Sequence, residues 1–478
     1  MKKVRAHAIR KNIPRKHKHV FYTERFLRRF LPKKRLGEGA RPRAASAPIH
    51  RKQDNKMQFS QRINELAAAA ERDLAPIFAK IDEISFENTN KVMDAFREHR
   101  VAATNFDTTS GYGYDDRGRD VLDRIWADVF GAEAAFVRHN IVNGTQALTI
   151  GLFGLLRPGD LMCSVAGKPY DTLEEVIGIQ GEAGNGSLAD FGVRYKQIEL
   201  AEDGGFDFAA IGEVLKTELA AGKPVKVIFV QRSKGYLNRK TLTVGEIGEL
   251  VSYVKGISPE TYVVVDNCYG EFTETVEPTA VGADMIIGSL IKNPGGGMAE
   301  TGGYIAGSAR AVELASYRLT SVGCGLEVGA TVGQTKNMYK GLFYAPHTTA
   351  QALKTAHLAA YIFGEMGYNV SPTWNETRSD IIQTVITGAP ELLCAFCRGI
   401  QKGSPVDSFV TPEPWAMPGY TDEVIMAAGA FVQGASIELS ADGPMRPPYT
   451  VFFQGGLTYE SGKIGILSAA EEMLSFGK

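Results

Sequence analysis

Seven short apolar runs set the tightest limit on what this chain can fold into. AAFVRH, DLMCSV, VRYKQIEL, VKVIFVQ, TYVVVD, DMIIGS and GGYIAG are each strand-sized and fall between residues 134 and 307. Between several of them lie segments of helical period: GTQALTIGLFGLL, TLEEVIGIQ, FDFAAIGEVLKTELAAG and TVGEIGELVSYVKG. Runs that are apolar on both faces and alternate with helices belong to a mostly parallel sheet covered on both sides. The expected fold class is therefore α/β. Such a sheet gathers ligands at the carboxyl ends of its strands.

The rest of the chain frames that sheet. Residues 57–100 have helical patterning, with Pro76 expected to break it. A turn-rich loop, NFDTTSGYGYDDRGRD, opens the large domain, placed at residues 101–330. After residue 330 the pattern changes. Residues 350–366 read as helix, SDIIQTVIT, GASIELS and YTVFFQGG as strands, and 463–475 as a last helix. This predicts a smaller C-terminal α/β domain at 331–478. No apolar run approaches the ~18 residues of a membrane helix, so a membrane role is not expected.

Charge is unevenly placed. Residues 1–56 hold 19 Lys and Arg against 3 Asp and Glu, while the remainder holds 34 against 51. The basic arm lacks core-forming periodicity and is expected to be disordered. It has the charge to bind nucleic acid or anionic lipid, or to serve as an address. A plainer reading is an upstream extension, with Met57 as the functional start. The five cysteines are odd in number and scattered, which suits a reducing compartment such as the cytoplasm. Cys394 and Cys397 have redox-motif spacing, yet they lie in an apolar helical stretch with no second pair for zinc, so core packing is expected. No metal site is expected.

Four strand-end or helix-start features carry candidate chemistry. Asn143-Gly144-Thr145-Gln146 joins a strand to an apolar helix, where free N–H groups could hold an anion or Asn143 could simply cap the helix. Tyr170 enters a helix from a loop and is either a ring-stacking tyrosine or an ordinary surface one. Asp266 ends the apolar run YVVVD, where a buried carboxylate wants a cationic partner, or it caps a turn. Lys292 follows MIIGSLI and precedes Gly295-Gly296-Gly297, which remove side chains where a bulky group must fit. Near other positive charge, a buried amine there has a lowered pKa and becomes nucleophilic. The alternatives are a phosphate-binding or a snorkelling lysine. Together, an anion cup, an aromatic ring, a strand-end carboxylate and a strand-end amine suit pyridoxal 5′-phosphate, which needs each of them.

Residues 57–478 resemble the pyridoxal-phosphate family of methionine γ-lyase-like or aluminium-resistance proteins, relatives of the cystathionine lyases. The likeness rests on IDEISFENTNKVMDAFREHRV, SGYGYDDRGRDVLD, GKPYDTLEEVIG, QRSKGY, GSLIKNPGGGMAETGGYIAG and DGPMRPPYTVFFQGGLTY. It implies the type I fold of pyridoxal-phosphate transferases, with a seven-stranded sheet in the large domain. It also implies roles for single residues. Lys292 forms the Schiff base and shuttles protons, Asp266 pairs with the ring nitrogen, and Tyr170 stacks on the ring. The amides of Gly144, Thr145 and Gln146, with Ser289, hold the phosphate. Tyr112 or Tyr114 reaches across a homodimer, alone or within a homotetramer. Gln231, Arg232 and Ser233 touch the ring hydroxyl or the substrate, and Arg446 takes the substrate carboxylate or is a surface turn arginine.

The reaction so implied is elimination at the β or γ carbon of a sulfur amino acid. Two alternatives stand beside it. One is another reaction of the same cofactor, as aldolase, racemase or decarboxylase, because a fold does not fix chemistry. The other is a non-catalytic protein that binds nucleic acid through its arm, against which the intact Lys–Asp–Tyr set argues.

Overall fold

A computed structural model describes residues 59–417 and 420–476. The expected basic arm lies outside the described residues. Twelve strands form two sheets. The large one is built from β1 (Ala134–Arg138), β2 (Leu161–Ser164), β3 (Arg194–Gln197), β4 (Val227–Gln231), β5 (Tyr262–Asp266), β6 (Met285–Ser289) and β7 (Gly303–Gly307). All seven apolar runs are thus strands. Their order is β1-β7-β6-β5-β4-β2-β3, with β7 antiparallel to both neighbours and every other pair parallel.

Ten α-helices accompany the sheets: α1 (Gln61–Glu98), α2 (Arg117–Phe130), α3 (Gly144–Leu155), α4 (Asp171–Ile177), α5 (Phe208–Ala220), α6 (Val244–Ile257), α7 (Ala309–Leu319), α8 (Thr335–Glu365), α9 (Pro390–Gly403) and α10 (Tyr459–Phe476). Strand alternation divides the large core into two layers. On β4, Val227 and Phe229 pack with α3, α4 and α7, while Ile228 and Val230 pack with α2, α5 and α6. Each such side chain, fully buried, contributes about 1.5–3 kcal/mol. A sheet covered on both faces leaves its strand ends as the place for a ligand.

The second sheet joins β8 (Asn369–Ser371), β9 (Gln383–Ile386), β10 (Val424–Ala427), β11 (Ser440–Pro444) and β12 (Thr450–Gln454) in the order β10-β11-β12-β9-β8, antiparallel throughout. Its core takes α9 and α10, including buried Cys394 and Cys397, as their apolar setting implied. The expected strand GASIELS is instead a run of turns, with β11 starting at its last residue, Ser440. Gly434 has φ +79°, and the Glu438 carboxylate accepts from the amides of Phe431 and Val432, which closes a loop rather than a ladder.

Pro76 does not end α1, which runs unbroken for 38 residues. An internal proline costs a helix about 3 kcal/mol. Packing at both ends offsets it: Ile63, Ala67, Ala70 and Leu74 enter the core of the second sheet, and Val92 and Ala95 that of the first.

Candidate active site

Strands β4, β5 and β6 end side by side, with Gln231 opposite Asp266 and Asp266 opposite Ile287. A cavity of about 210 Å³ opens at those ends. Its wall brings together Gly144, Thr145, Tyr170, Asp266, Ser289 and Lys292, with Gln231 and Ser233 beside them. Residues as far apart in the chain as Gly144 and Lys292 thus share one wall because parallel strands deliver their carboxyl ends to the same edge.

Lys292 extends its amine over the ring of Tyr269, with Nζ 4.1 Å from the ring centre. Burial alone lowers its pKa, but Cys268, Tyr269 and Asp266 outweigh burial and hold it above the ordinary lysine value. The expectation of a lowered pKa is corrected here. It assumed positive neighbours, and Lys292 is the only Lys or Arg among the residues lining the cavity. Burial raises the Asp266 pKa, while Lys292 and the amide of Cys268, 3.1 Å from Oδ1, pull it down. The segment after Asp266 is held under strain: Tyr269 and Phe272 both sit at positive φ, 73° and 61°. Asn293, next to Lys292, clamps that segment by donating to the carbonyls of Tyr269 and Glu271 at 3.0 Å each.

At the other end of the cavity α3 begins. Asn143 caps it, its Oδ1 accepting from the Gln146 amide at 2.8 Å, so both readings of this turn hold at once. The amides of Gly144 and Thr145 find no acceptor among the described residues. A Cβ on Gly144 would lie 3.4 Å from Cys268 Sγ, 3.6 Å from Ser289 Cβ and 4.0 Å from Lys292 Nζ. The missing side chain therefore keeps open a cradle between helix terminus, serine and amine.

The third wall is aromatic. Tyr170 is half-buried and shares a 2.9 Å hydrogen bond with the hydroxyl of Tyr420. Its ring lies 5.6 Å from that of Tyr236, whose hydroxyl donates to Asp442 on β11. Burial first, then Tyr420, push the Tyr170 pKa well above its usual range, so it remains a proton donor.

These groups fit a flat anionic cofactor: two amides without partners and a side-chain-free cradle for the anion, an aromatic wall, a buried carboxylate and an amine. Gln231 also leaves Oε1 without a partner. The sequence matches the methionine gamma-lyase family over residues 63–474. The chain belongs to that family. It is a pyridoxal-phosphate-dependent enzyme. The protein YnbB of Bacillus subtilis (strain 168) is 49 % identical over 412 residues, covering 86 % of this chain and 96 % of its own. A carbon-sulfur lyase involved in aluminum resistance from Clostridium novyi NT is 49 % identical with TM-score 0.83, covering 86 % and 96 %. The pyridoxal-5′-phosphate dependent protein YhfS of Escherichia coli, at 15 % identity and TM-score 0.56, shares the fold over 83 % of this chain and 97 % of its own.

In this methionine γ-lyase family member, three expectations about single residues, Arg232, Gln146 and Arg446, need correction. Arg232 is turned away from the cavity. Strand alternation continues past β4, so Gln231 and Ser233 face the cavity while Arg232 lies behind the sheet, fully buried, against Asn267, Glu274 and Glu277. Gln146 spends its amide on Asn143 and its side chain on the amide of Val142, and does not line the cavity. Arg446 lies on the surface in a 2.7 Å ion pair with Asp422, because the turn after β11 points outward. Tyr112 and Tyr114 stack on each other, 5.3 Å apart and exposed, away from the cavity of their own chain. Sequence reasoning missed Cys268, Tyr269, Tyr420 and Ser436, which also line the cavity. Cys268 and Tyr269 follow Asp266 directly and could have been found from that neighbourhood. Tyr420 and Ser436 arrive from loops of the second sheet, and no local pattern marks them.

Proposed function

We propose that this enzyme breaks a carbon–sulfur bond of an amino acid by β- or γ-elimination, with Lys292 as the covalent anchor of the cofactor and as the proton carrier. One observation supports this above the others: Lys292, Asp266 and Tyr170 converge on one cavity with an anion cradle at its far end. When bound, pyridoxal phosphate supplies an electron sink for the carbanion. The amides of Gly144 and Thr145, with Ser289, bind its phosphate, and Tyr170 faces its ring. Asp266 holds a proton at the ring nitrogen. Once engaged there, Asp266 is one fewer group favouring a proton on Lys292, the amine placed to take the substrate α-proton. Tyr170, kept protonated, is placed to donate to the departing sulfur as the C–S bond opens.

Among the described residues, the cavity of one chain offers no arginine for a substrate carboxylate. A second copy that brings Tyr112 or Tyr114 to the cavity accounts for their exposure on a loop pinned to residues 329–332. The substrate class is a sulfur-containing amino acid. Incubating purified protein with methionine, cystathionine and cysteine, with assays for thiol and 2-oxo acid, tests the proposal. Release of both products from one of them supports it; release from none, by protein that carries the cofactor, refutes it. Borohydride treatment followed by peptide mapping tests the anchor, and an adduct on any lysine other than Lys292 removes that residue from its role.

A further inference from the structure

Behind the cofactor cavity, on the opposite side of the large sheet, lies a buried polar cluster that the elimination chemistry does not use. Glu271 is fully buried. Its Oε1 accepts from the Tyr304 hydroxyl at 2.9 Å, and its Oε2 has no partner. Glu277, equally buried, is held by the Phe272 amide and Asn267 Nδ2, both at 2.9 Å, and by Arg232 at 3.5 Å. Arg232 Nη1 reaches Asn267 Oδ1 at 2.8 Å, and Asn267 Nδ2 also lies 3.4 Å from the Tyr304 hydroxyl.

Two glycines make room for this cluster. A Cβ on Gly288 of β6 would sit 2.5 Å from the Tyr304 ring and 2.6 Å from Glu271 Oε1. A Cβ on Gly270 would sit 2.6 Å from Arg232 Nη1. β6 thus gives up a side chain next to Ser289 to admit the Glu271 carboxyl, and the turn after β5 gives up another to admit Arg232. Glu271 is tied to the site mechanically as well, since Asn293 holds its carbonyl beside Lys292.

We propose that Glu271 is a positioning residue for the cofactor site: its buried carboxyl, by being neutral or ionised, sets the proton affinity of the Lys292 centre from behind the sheet. The inference rests on the cofactor reading above. Burial pushes the Glu271 carboxyl up to about 8, with the neighbouring Glu277 acting in the same direction and the Tyr304 hydroxyl and Lys292 opposing. The other ionisable or charged groups facing the cluster are Cys268, Arg232, Glu274 and Lys91: Glu274 pairs with Arg232 at 2.8 Å, and Arg232 and Lys91 act on Glu277. Well below that value the carboxyl is neutral, and the Glu277 carboxyl in the cluster is offset by Arg232. As pH rises through it, an added buried negative charge favours the protonated form of the Lys292 centre.

The test is an absorption titration of the bound cofactor from pH 6 to 10 in wild type, Glu271→Gln and Tyr304→Phe. Glutamine matches the shape of the neutral carboxyl and never ionises. The expected midpoint for proton release in Glu271→Gln is lower than wild type by about half a pH unit or more. Tyr304→Phe, which removes a stabiliser of the ionised carboxylate, moves the midpoint the same way by less. A purely structural Glu271 would change cofactor content and melting temperature at pH 6 instead, where both proteins carry a neutral group and are expected to match. Should Glu271→Gln fail to load cofactor, Tyr304→Phe decides alone, and an unmoved or raised midpoint there overturns the proposal. Coincident titrations in both variants overturn it as well. A wild type with no cofactor band overturns the cofactor reading together with this one.

Discussion

Replacing Gly144 with alanine separates cofactor binding from folding. The residue opens α3, and its φ lies outside the left-handed range, so alanine meets no backbone strain. The added Cβ finds Cys268 Sγ at 3.4 Å and Ser289 Cβ at 3.6 Å, both ordinary contacts. Without cofactor the variant is expected to fold as well as wild type, or better by up to about 1 kcal/mol, because alanine loses less backbone freedom than glycine. With cofactor the same methyl group stands in the cradle, 4.0 Å from Lys292 Nζ, where the anion must approach the Gly144 and Thr145 amides. Losing one hydrogen bond to a charged group costs about 1.5–3 kcal/mol. The dissociation constant should therefore rise by roughly 10- to 150-fold. Titrating cofactor-free protein by absorbance, beside thermal melts of the same samples, measures both quantities. An unchanged dissociation constant would refute the anion cradle. A weakened one accompanied by a lower melting temperature would show that the glycine serves packing instead.

Three further substitutions test residues outside the cavity wall. Arg446→Ala should leave KM unchanged and shift stability by less than about 1 kcal/mol, as for exposed ion pairs, whereas Arg232→Met should cost about 3–5 kcal/mol by stranding Glu277; urea unfolding and steady-state kinetics of both variants check this. Asp442 is raised from 3.8 to about 6 by burial, against the pull of the Tyr236 hydroxyl. A carboxyl raised in the folded state stabilises it at low pH, and that stabilisation fades as pH rises through 6. Relative to Asp442→Asn, wild type should lose up to about 3 kcal/mol between pH 4 and 7, and parallel urea midpoints at the two pH values would contradict the assignment.

How much could be read in advance follows from how far each signal travels along the chain. Six of the seven strands of the large sheet were legible because a doubly buried strand writes its burial into consecutive residues, as in Val227–Val230, whereas β3 at the sheet edge is half-buried to exposed along its length. Asp266 and Lys292 were legible because each puts a charge where an apolar run ends. Arg232 was misplaced although its neighbours were sound: a period of two sends residue 232 behind the sheet when 231 and 233 face the cavity. Tyr420 and Ser436 were invisible, since they reach the cavity only through the packing of the second sheet. The strain at Tyr269 was hidden as well, because positive φ at a tyrosine is imposed by the clamp from Asn293 rather than by its own preference.

Helix α1 is a strut between two cores. Its first turns are buried with the second sheet and its last with the first, and the cavity is walled by residues from both sheets' loops. Heat cannot melt one sheet and spare the other without pulling apolar surface of α1 into water. The two halves should therefore denature in a single calorimetric transition, and the cofactor, gripped from both sides, should be released in that same event.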